Sequence, residues 1–229
     1  MDQEKIWNYL QTAGVDVFSR TGPRFRFLAE QIDAAARVLN IGVGDGTLEA
    51  LISDKGAEVW SLDPSEGAIQ RLRESQRMGE RAKVGYSQSI PFEKEAFDVV
   101  IMTEVLEHLE QEALVATLRE VRRVLVPSGH FIGTVPAEEA LEENKVVCPH
   151  CGEVFHRYGH VRAFSQEGIR SELSRQFKEV RIWRKYFADF RSLNWKGRLS
   201  SAIKKMAMAL GIRGANENFY FSATNISKR

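Results

Sequence analysis

The segment that most constrains the fold is a buried strand that runs directly into three alternate glycines, Val38–Gly46 (VLNIGVGDG). Apolar Leu48, Leu51 and Ile52 follow at helical spacing, so the pattern predicts a strand, a tight turn and a helix. Alternate glycines leave bare backbone against which a nucleoside-type ligand can lie at the carboxyl end of the strand. Because residue 47 is threonine, the spacing is G-x-G-x-G and departs from the G-x-G-x-x-G of dinucleotide-binding folds.

From Arg37 onward, predicted strands and helices alternate, which indicates a parallel sheet with helices on both faces. Residues 3–35 are expected to be helical, with a break near Gly22-Pro23. We place the strands near residues 37–42, 58–63, 82–86, 97–103, 130–135, 178–187 and 217–227.

Three further sequence blocks follow the glycine turn in a fixed order. The second strand ends at Asp63, about 20 residues past the first glycine, where an acid can bind both ribose hydroxyls of a nucleoside. The blocks are Gly85–Phe92 (GYSQSIPF), Phe97–Leu109 (FDVVIMTEVLEHL) and Pro127–Pro136 (PSGHFIGTVP). In this order they resemble the motifs of the class I S-adenosylmethionine-dependent methyltransferases, in their widespread small-molecule branch.

The resemblance implies an α/β fold with a Rossmann-like seven-stranded sheet, mostly parallel with the last strand antiparallel. It also implies S-adenosylmethionine as cofactor and a small-molecule acceptor, with O- or N-methylation of a sugar or other polar metabolite. We expect a single domain over residues 1–229. Its parts are an N-terminal helical cap (1–36), a cofactor-binding core (37–136), a Cys/His insert or lid (137–164) and a C-terminal part with a helix, strands and an inserted helix (165–229).

The resemblance also assigns the cofactor contacts, and this sequence departs from the family at two of them. Asn40 stands where the family usually has an acid that attracts the ammonium group of the cofactor, and Asp45 is a candidate to compensate. The acid that usually precedes the Pro-Phe pair is missing, so Ser87, Gln88 or the Tyr86 ring would have to contact the adenine. The expected cofactor-binding residues are Asn40, Gly42, Gly44, Gly46, Asp63, Pro64, Ser87, Gln88 and Thr103. For Asp63, a helix N-cap is the structural alternative.

Candidate catalytic residues come directly after the fourth strand, at the sheet edge where α/β sites lie. Glu104 and Glu107 are three residues apart, as on neighbouring positions of a helix, and His108 is next to them. A base is needed only if the acceptor carries a proton of high pKa, such as a hydroxyl. The string Glu104-x-x-Glu107-His108 also resembles the divalent-cation site of ubiquinone-type O-methyltransferases and small-RNA 3′-end methyltransferases. A cation, a proton-transfer role for His108 and a structural helix start all remain open.

The only two cysteines, Cys148 and Cys151, form a Cys-x-x-Cys pair followed by His156 and His160. Two thiolates and two imidazoles can complete a tetrahedron around zinc, so these four residues are candidate ligands of a structural zinc. A thiol-oxidase dithiol is a second interpretation, although no thioredoxin-like unit flanks the pair. The third is a metal-free lid in which, by resemblance to the family, His160 and Arg162 face the substrate.

The remaining sequence features limit the partners and the cellular location that we expect for this chain. The net charge of +1 does not require a broad nucleic-acid surface. Helix 194–211 carries an apolar face with basic flanks, which predicts packing on the lid, on a second subunit or on a membrane surface. The N-terminus is unlike a signal peptide and no run reaches transmembrane length, so we expect a reducing, cytoplasmic setting. A nucleic-acid or protein methyltransferase, and a non-catalytic cofactor-binding or zinc-stabilised partner module, are the alternative functions.

Overall fold

The computed structural model describes residues 21–187 and 217–226, together with the single residues 5, 6, 9, 195 and 200. Strands and helices alternate along this part of the chain. The helices are α1 (Gly22–Glu30), α2 (Thr47–Asp54), α3 (Glu66–Gln76), α4 (Gln111–Val124) and α5 (Gln166–Ser174). The strands are β1 (Arg37–Ile41), β2 (Glu58–Asp63), β3 (Ala82–Val84), β4 (Phe97–Thr103), β5 (Leu125–Pro136), β6 (Lys145–Val147), β7 (Val154–His156), β8 (Lys178–Lys185) and β9 (Asn218–Thr224).

Seven strands form one sheet in the order β3-β2-β1-β4-β5-β9-β8. Strands β1 to β5 pair in parallel, and β9 lies antiparallel to both β5 and β8. The predicted seven-stranded, mostly parallel architecture is therefore confirmed. The chain order reverses between β1 and β4, and this switch point is where ligands of open α/β sheets bind.

The alternation of side chains along β1 explains why helices cover both faces of the sheet. Leu39 and Ile41 enter a core cluster with residues of α4 and α5 on one face. Val38 enters a second cluster on the other face with apolar residues of α1, α2 and α3. Because β1 is buried on both faces, its near-continuous apolar run is explained by the parallel sheet.

Some predicted boundaries differ from the structure. Strand β3 ends at Val84 and does not reach residue 86, and β5 already begins at Leu125 and not near residue 130. In the insert, β6 and β7 form a separate two-stranded antiparallel hairpin. Helix 194–211 and most of residues 3–20 lie outside the described residues. No helix in the described part of the chain is long and apolar enough to cross a membrane.

Candidate active site

The turn after β1 takes the backbone conformation that its glycines permit. Gly42, Gly44 and Gly46 have φ values of +92°, +59° and +82°, which side-chain-bearing residues rarely adopt. A Cβ atom on Gly42 would also lie 2.7 Å from Val105 Cγ2. The turn therefore brings bare backbone to the carboxyl edge of the sheet, at the switch point beside β4.

Asp63 fastens this turn to the end of β2. Its Oδ2 accepts a hydrogen bond from the Val43 amide at 2.9 Å, and its Oδ1 accepts one from the Ser65 amide at 2.8 Å. The side chain is buried at 3% exposure. The N-cap of α3 is Ser65, whose Oγ accepts a hydrogen bond from the Ala68 amide. Asp63 is therefore not the N-cap, and its side chain contacts the glycine turn through Val43. Its ribose contact remains a prediction.

The other expected cofactor residues are placed as follows. Asn40 is buried behind the glycine turn, with its amide nitrogen 3.3 Å from the Gly42 carbonyl oxygen. The Ser87 hydroxyl lies 2.8 Å from that of Thr117 and so packs against α4, whereas Gln88 and Pro64 are exposed. Thr103 Oγ1 lies 2.7 Å from Thr134 Oγ1 on the neighbouring strand.

Glu104 directly follows β4 and has a left-handed backbone conformation with φ of +55°. It forms an ion pair with Arg24 of α1 at 3.2 Å, and Asn218 donates hydrogen bonds to both of its oxygens. The Thr134 hydroxyl donates to Glu104 Oε1 at 2.8 Å. Glu104 is thus held by an N-terminal helix and by β5 and β9, and it joins neither of the two possible metal clusters described below.

Glu107 and His108 lie in a short 3₁₀ turn, Leu106–His108, and not on the helix that the spacing predicted. Burial raises the pKa of Glu107 well above its ordinary value, and the charge of Glu104 adds to the rise. Within the described part of the chain, neither oxygen of Glu107 has a hydrogen-bond partner. Burial, with the charge of His160, lowers the pKa of His108 to about 3, so this ring stays neutral at physiological pH. Its Nδ1 lies 3.2 Å from the Gly159 carbonyl oxygen.

His160 reaches the same place from the insert, with its ring centroid 4.6 Å from that of His108. Glu104, Glu107, His108 and His160 are called the acceptor wall below. His160 Nδ1 lies 2.5 Å from Glu139 Oε2, so this nitrogen donates a hydrogen bond to the carboxylate. Burial works to raise the pKa of Glu139, but the hydrogen bond and charge of His160 outweigh it and hold the pKa below its ordinary value.

His156 completes this cluster by stacking on His160, with ring centroids 4.5 Å apart. Its Nδ1 accepts from the backbone amides of Tyr158 and His160, at 3.3 and 3.1 Å. A neutral ring that accepts at Nδ1 carries its proton on Nε2, and this atom lies 3.3 Å from Glu139 Oε1. Glu139 therefore lies beside both rings, and ligand atoms of Glu139, His156 and His160 lie within 4.8 Å of one another.

The structure does not bring together the predicted zinc ligands Cys148, Cys151, His156 and His160, so a zinc bound by these four residues stays a prediction. Among the residues that the structure describes, two groups of side chains lie close enough to hold a metal ion, Glu107/His108/His160 and Glu139/His156/His160, and neither contains a cysteine. The cysteines lie in the turn after Val147, at the tip of the β6–β7 hairpin, whereas His156 pairs with Lys145 at its base. Because a strand advances about 3.3 Å per residue, the hairpin separates the thiols from the imidazoles.

A cavity of about 410 Å³ opens at the opposite edge of the sheet, where β1 and β4 begin. Asp33, Asp98 and His130 line it. Ligands of open α/β sheets bind beyond the carboxyl ends of the strands, so this cavity is not the candidate active site.

The geometry agrees with the comparison with known proteins. Residues 39–133 match the family described as "Methyltransferase domain". An uncharacterized methyltransferase of Staphylococcus carnosus is 28% identical over 117 residues, which cover 51% of this chain and 54% of that protein. A ubiquinone biosynthesis O-methyltransferase of Alkalilimnicola ehrlichii is 33% identical over 102 residues, covering 42% of this chain and 40% of that protein. The chain thus spans about half the length of the curated relatives it matches, or less.

A solved structure extends the likeness over almost the whole chain. The 1,6-didemethyltoxoflavin-N1-methyltransferase of Burkholderia thailandensis, determined with its acceptor and S-adenosylhomocysteine bound, superposes with a TM-score of 0.66 at 18% identity. The superposition covers 98% of this chain and 87% of that one. Residues 39–133 thus match a methyltransferase family and the superposition shows a shared fold, in agreement with the resemblance that the order of the sequence blocks indicated.

Proposed function

We propose that this chain transfers the methyl group of S-adenosylmethionine to a small, polar acceptor. The observation that carries the proposal is the position of the glycine turn and Asp63 at the same sheet edge as the acceptor wall. When bound, the cofactor supplies an electrophilic methyl group and its own leaving group, so the protein has mainly to align the two substrates. Gly42, Gly44 and Gly46 would accommodate the cofactor against bare backbone, and Asp63 would bind the ribose.

The acceptor wall supports a polar acceptor that loses a proton on methylation. Glu139 accepts the hydrogen bond from His160 Nδ1–H, so Nε2 of the neutral ring would accept a proton from an acceptor hydroxyl or amine. The neutral, buried His108 is the weaker base, because its pKa of about 3 disfavours the protonated ring. His160 is therefore our candidate for the general base, and His108 and Glu104 are candidates for contacts that orient the acceptor.

A second proposal for the same site is that its side chains bind a divalent cation. Ligand atoms of Glu107, His108 and His160 lie within 4.8 Å of one another, a set to which Glu104 of the predicted cation string does not belong. Both rings are oriented through Nδ1, by the Gly159 carbonyl and by Glu139, as the histidines of metal sites commonly are. A bound cation would lower the pKa of an acceptor hydroxyl without a protein base.

The relatives support a small-molecule acceptor of this kind. One relative is named for ubiquinone biosynthesis, and the structure cited above holds 1,6-didemethyltoxoflavin. The near-neutral net charge of +1 fits a small molecule better than a nucleic acid. The expected cytoplasmic location is part of this proposal.

The first test is the change in melting temperature with ligand. A ligand that binds only the folded state stabilises it by mass action, so S-adenosylhomocysteine should raise the Tm by several degrees and NAD should not. Methyl-labelled cofactor with fractionated pools of polar metabolites would then identify the acceptor, with and without Mg²⁺ or a chelator. Stabilisation by NAD alone would contradict the proposed cofactor. Cofactor binding without transfer to any pool would favour a non-catalytic binding module.

A further inference from the structure

A buried carboxyl group lies directly behind the glycine turn and has no role in the site described so far. Glu49, on the first turn of α2, is 0% exposed. Its Oε1 accepts hydrogen bonds from Asn40 Nδ2 at 2.7 Å and from Ser61 Oγ at 3.0 Å. Among the residues that the structure describes, Glu49 Oε2 and Asn40 Oδ1 have no partner, although both atoms are buried. A buried carboxyl oxygen without a hydrogen bond lowers the stability of the folded protein, so a functional role would explain why Glu49 is buried here.

Asn40 connects this carboxyl group to the cofactor turn. The same amide nitrogen that donates to Glu49 lies 3.3 Å from the Gly42 carbonyl oxygen. Asn40 also occupies the position at which the family usually has an acid to attract the ammonium group of the cofactor. The charge that is missing at residue 40 is thus present one hydrogen bond away.

The other candidate to compensate, Asp45, is less suitable. Its side chain is exposed, and its Oδ1 accepts a hydrogen bond from the Thr47 amide at the start of α2. An exposed carboxylate attracts an ammonium group weakly because water screens it. Glu49 is the acid that is both buried and in contact with Asn40.

We infer that Glu49, acting through Asn40, supplies the negative charge that holds the ammonium group of S-adenosylmethionine. Glu49 is a positioning residue for Asn40 and for the Gly42 carbonyl, which would accept from the ammonium group. The inference rests on the proposed function, because it takes S-adenosylmethionine as the cofactor.

The electrostatics give this inference a measurable consequence. Burial raises the pKa of Glu49 from 4.5 to about 7, against the hydrogen bonds from Asn40 and Ser61. Asp63 is the charged group that acts on it from β2, and its negative charge adds to the rise. The residues that α1 and α3 contribute to the core cluster on this face are apolar, namely Phe25, Leu28, Ala29, Ile69 and Leu72.

These groups determine in which direction the affinity for the cofactor changes with pH. Without ligand, Glu49 is largely protonated at pH 6 and largely ionised at pH 8. A cationic ammonium group favours the ionised form, so binding lowers the pKa of Glu49 and releases protons near pH 7. If binding lowers this pKa by about one unit, the affinity for S-adenosylhomocysteine should fall about fivefold from pH 8 to pH 6, with release of about 0.4 proton per site at pH 7.

The experiment is isothermal titration of the full chain with S-adenosylhomocysteine in buffers of different ionisation enthalpy. 5′-Methylthioadenosine, which lacks the amino-acid part, is the matched ligand and should bind with no proton release. Glu49→Gln keeps an acceptor for Asn40 and Ser61, and it should abolish the proton release and weaken binding about tenfold at pH 8. Glu58→Gln removes an exposed acid from β2 and should change neither quantity.

A double variant that moves the acid from residue 49 to residue 40 tests the inference independently of the single substitution Glu49→Gln. Asn40→Asp combined with Glu49→Gln returns the acid to residue 40 and should recover most of the affinity that Glu49→Gln loses. Binding of S-adenosylhomocysteine with equal affinity at pH 6 and pH 8 and without proton release would overturn the inference and leave the proposed function intact. Failure of the wild-type protein to bind this ligand at either pH would overturn both.

Discussion

The glycine turn and the acceptor wall lie at the same edge of the sheet but are held in place by different means. The turn depends on one short stretch, with its backbone fixed by three glycines and fastened by Asp63 only 20 residues away. The acceptor wall joins β4, the following 3₁₀ turn and the insert, and its His108–Gly159 contact spans 51 residues. The cofactor half is local and made largely of backbone, whereas the acceptor half is a tertiary assembly of side chains.

This difference teaches which properties can vary independently. Backbone contacts in the cofactor half depend little on side-chain identity, so the same turn can serve many acceptors. The acceptor half depends on how the insert packs over the sheet, where the Val161 amide donates to the Glu107 carbonyl at 3.0 Å. Substitutions in the two halves should therefore affect different constants: the cofactor Kd in one and kcat in the other.

The largest effect should come from His160→Ala. Loss of a general base lowers kcat by about a thousandfold, whereas the Kd for S-adenosylhomocysteine should change by less than about twofold. Steady-state kinetics with the identified acceptor measures kcat, and calorimetry with S-adenosylhomocysteine measures the Kd. His150→Ala is the matched control, because His150 is exposed in the same insert. A weakened cofactor affinity with normal kcat would remove the distinction between the halves.

Glu139→Gln sharpens the same prediction because Gln retains an acceptor for His160 but carries no charge. We expect a smaller loss of kcat, about tenfold, since the carboxylate stabilises the protonated ring that forms during the reaction. Glu139→Asp should recover part of this loss. If Glu139→Gln leaves kcat and its pH profile unchanged, His160 does not act as the base.

Asp63→Ala should have the next largest effect, and in the opposite half. We expect the Kd for S-adenosylhomocysteine to rise about a hundredfold, because a ribose contact and the anchor of the turn are lost together. At saturating cofactor, kcat should stay near the wild-type value. The amides of Val43 and Ser65 lose their acceptor, so circular dichroism and the Tm must show that the variant is folded. Asp54→Ala, an exposed acid at the end of α2, is the control.

The contrast between the two halves also explains how far the sequence predicts this molecule. The turn, the positions of most strands and the resemblance to methyltransferases follow from local patterns, because glycine spacing and apolar periodicity act over a few residues. Glu49 was missed because a single acid in the first turn of a helix gives no periodic signal of burial. Glu139 was missed because its contact with His160 spans 21 residues and depends on how the β6–β7 hairpin folds back. Spacing alone also grouped the cysteines with His156, whereas the hairpin separates them.

The smallest effect should come from the cysteines, whose role decides whether the insert is a lid or a metal-bound unit. Neither thiol forms a disulfide, and Cys151 is exposed while Cys148 is half-buried. We expect Cys148→Ser to leave the metal content unchanged and to shift the Tm by less than about 2 °C, as for a surface substitution. Elemental analysis and thermal unfolding provide these values.

Thiol reactivity gives the complementary measurement for the same pair. Hydrogen bonds from the backbone amides of Cys151 and His150 lower the pKa of Cys148, so more of it is thiolate at neutral pH. Since the thiolate is the reactive form, Cys148 in the Cys151→Ser variant should react faster with a thiol reagent than Cys151 does in the Cys148→Ser variant. One zinc per chain with both thiols unreactive until chelation would mean that the insert closes around a metal and that the acceptor half changes shape to do so.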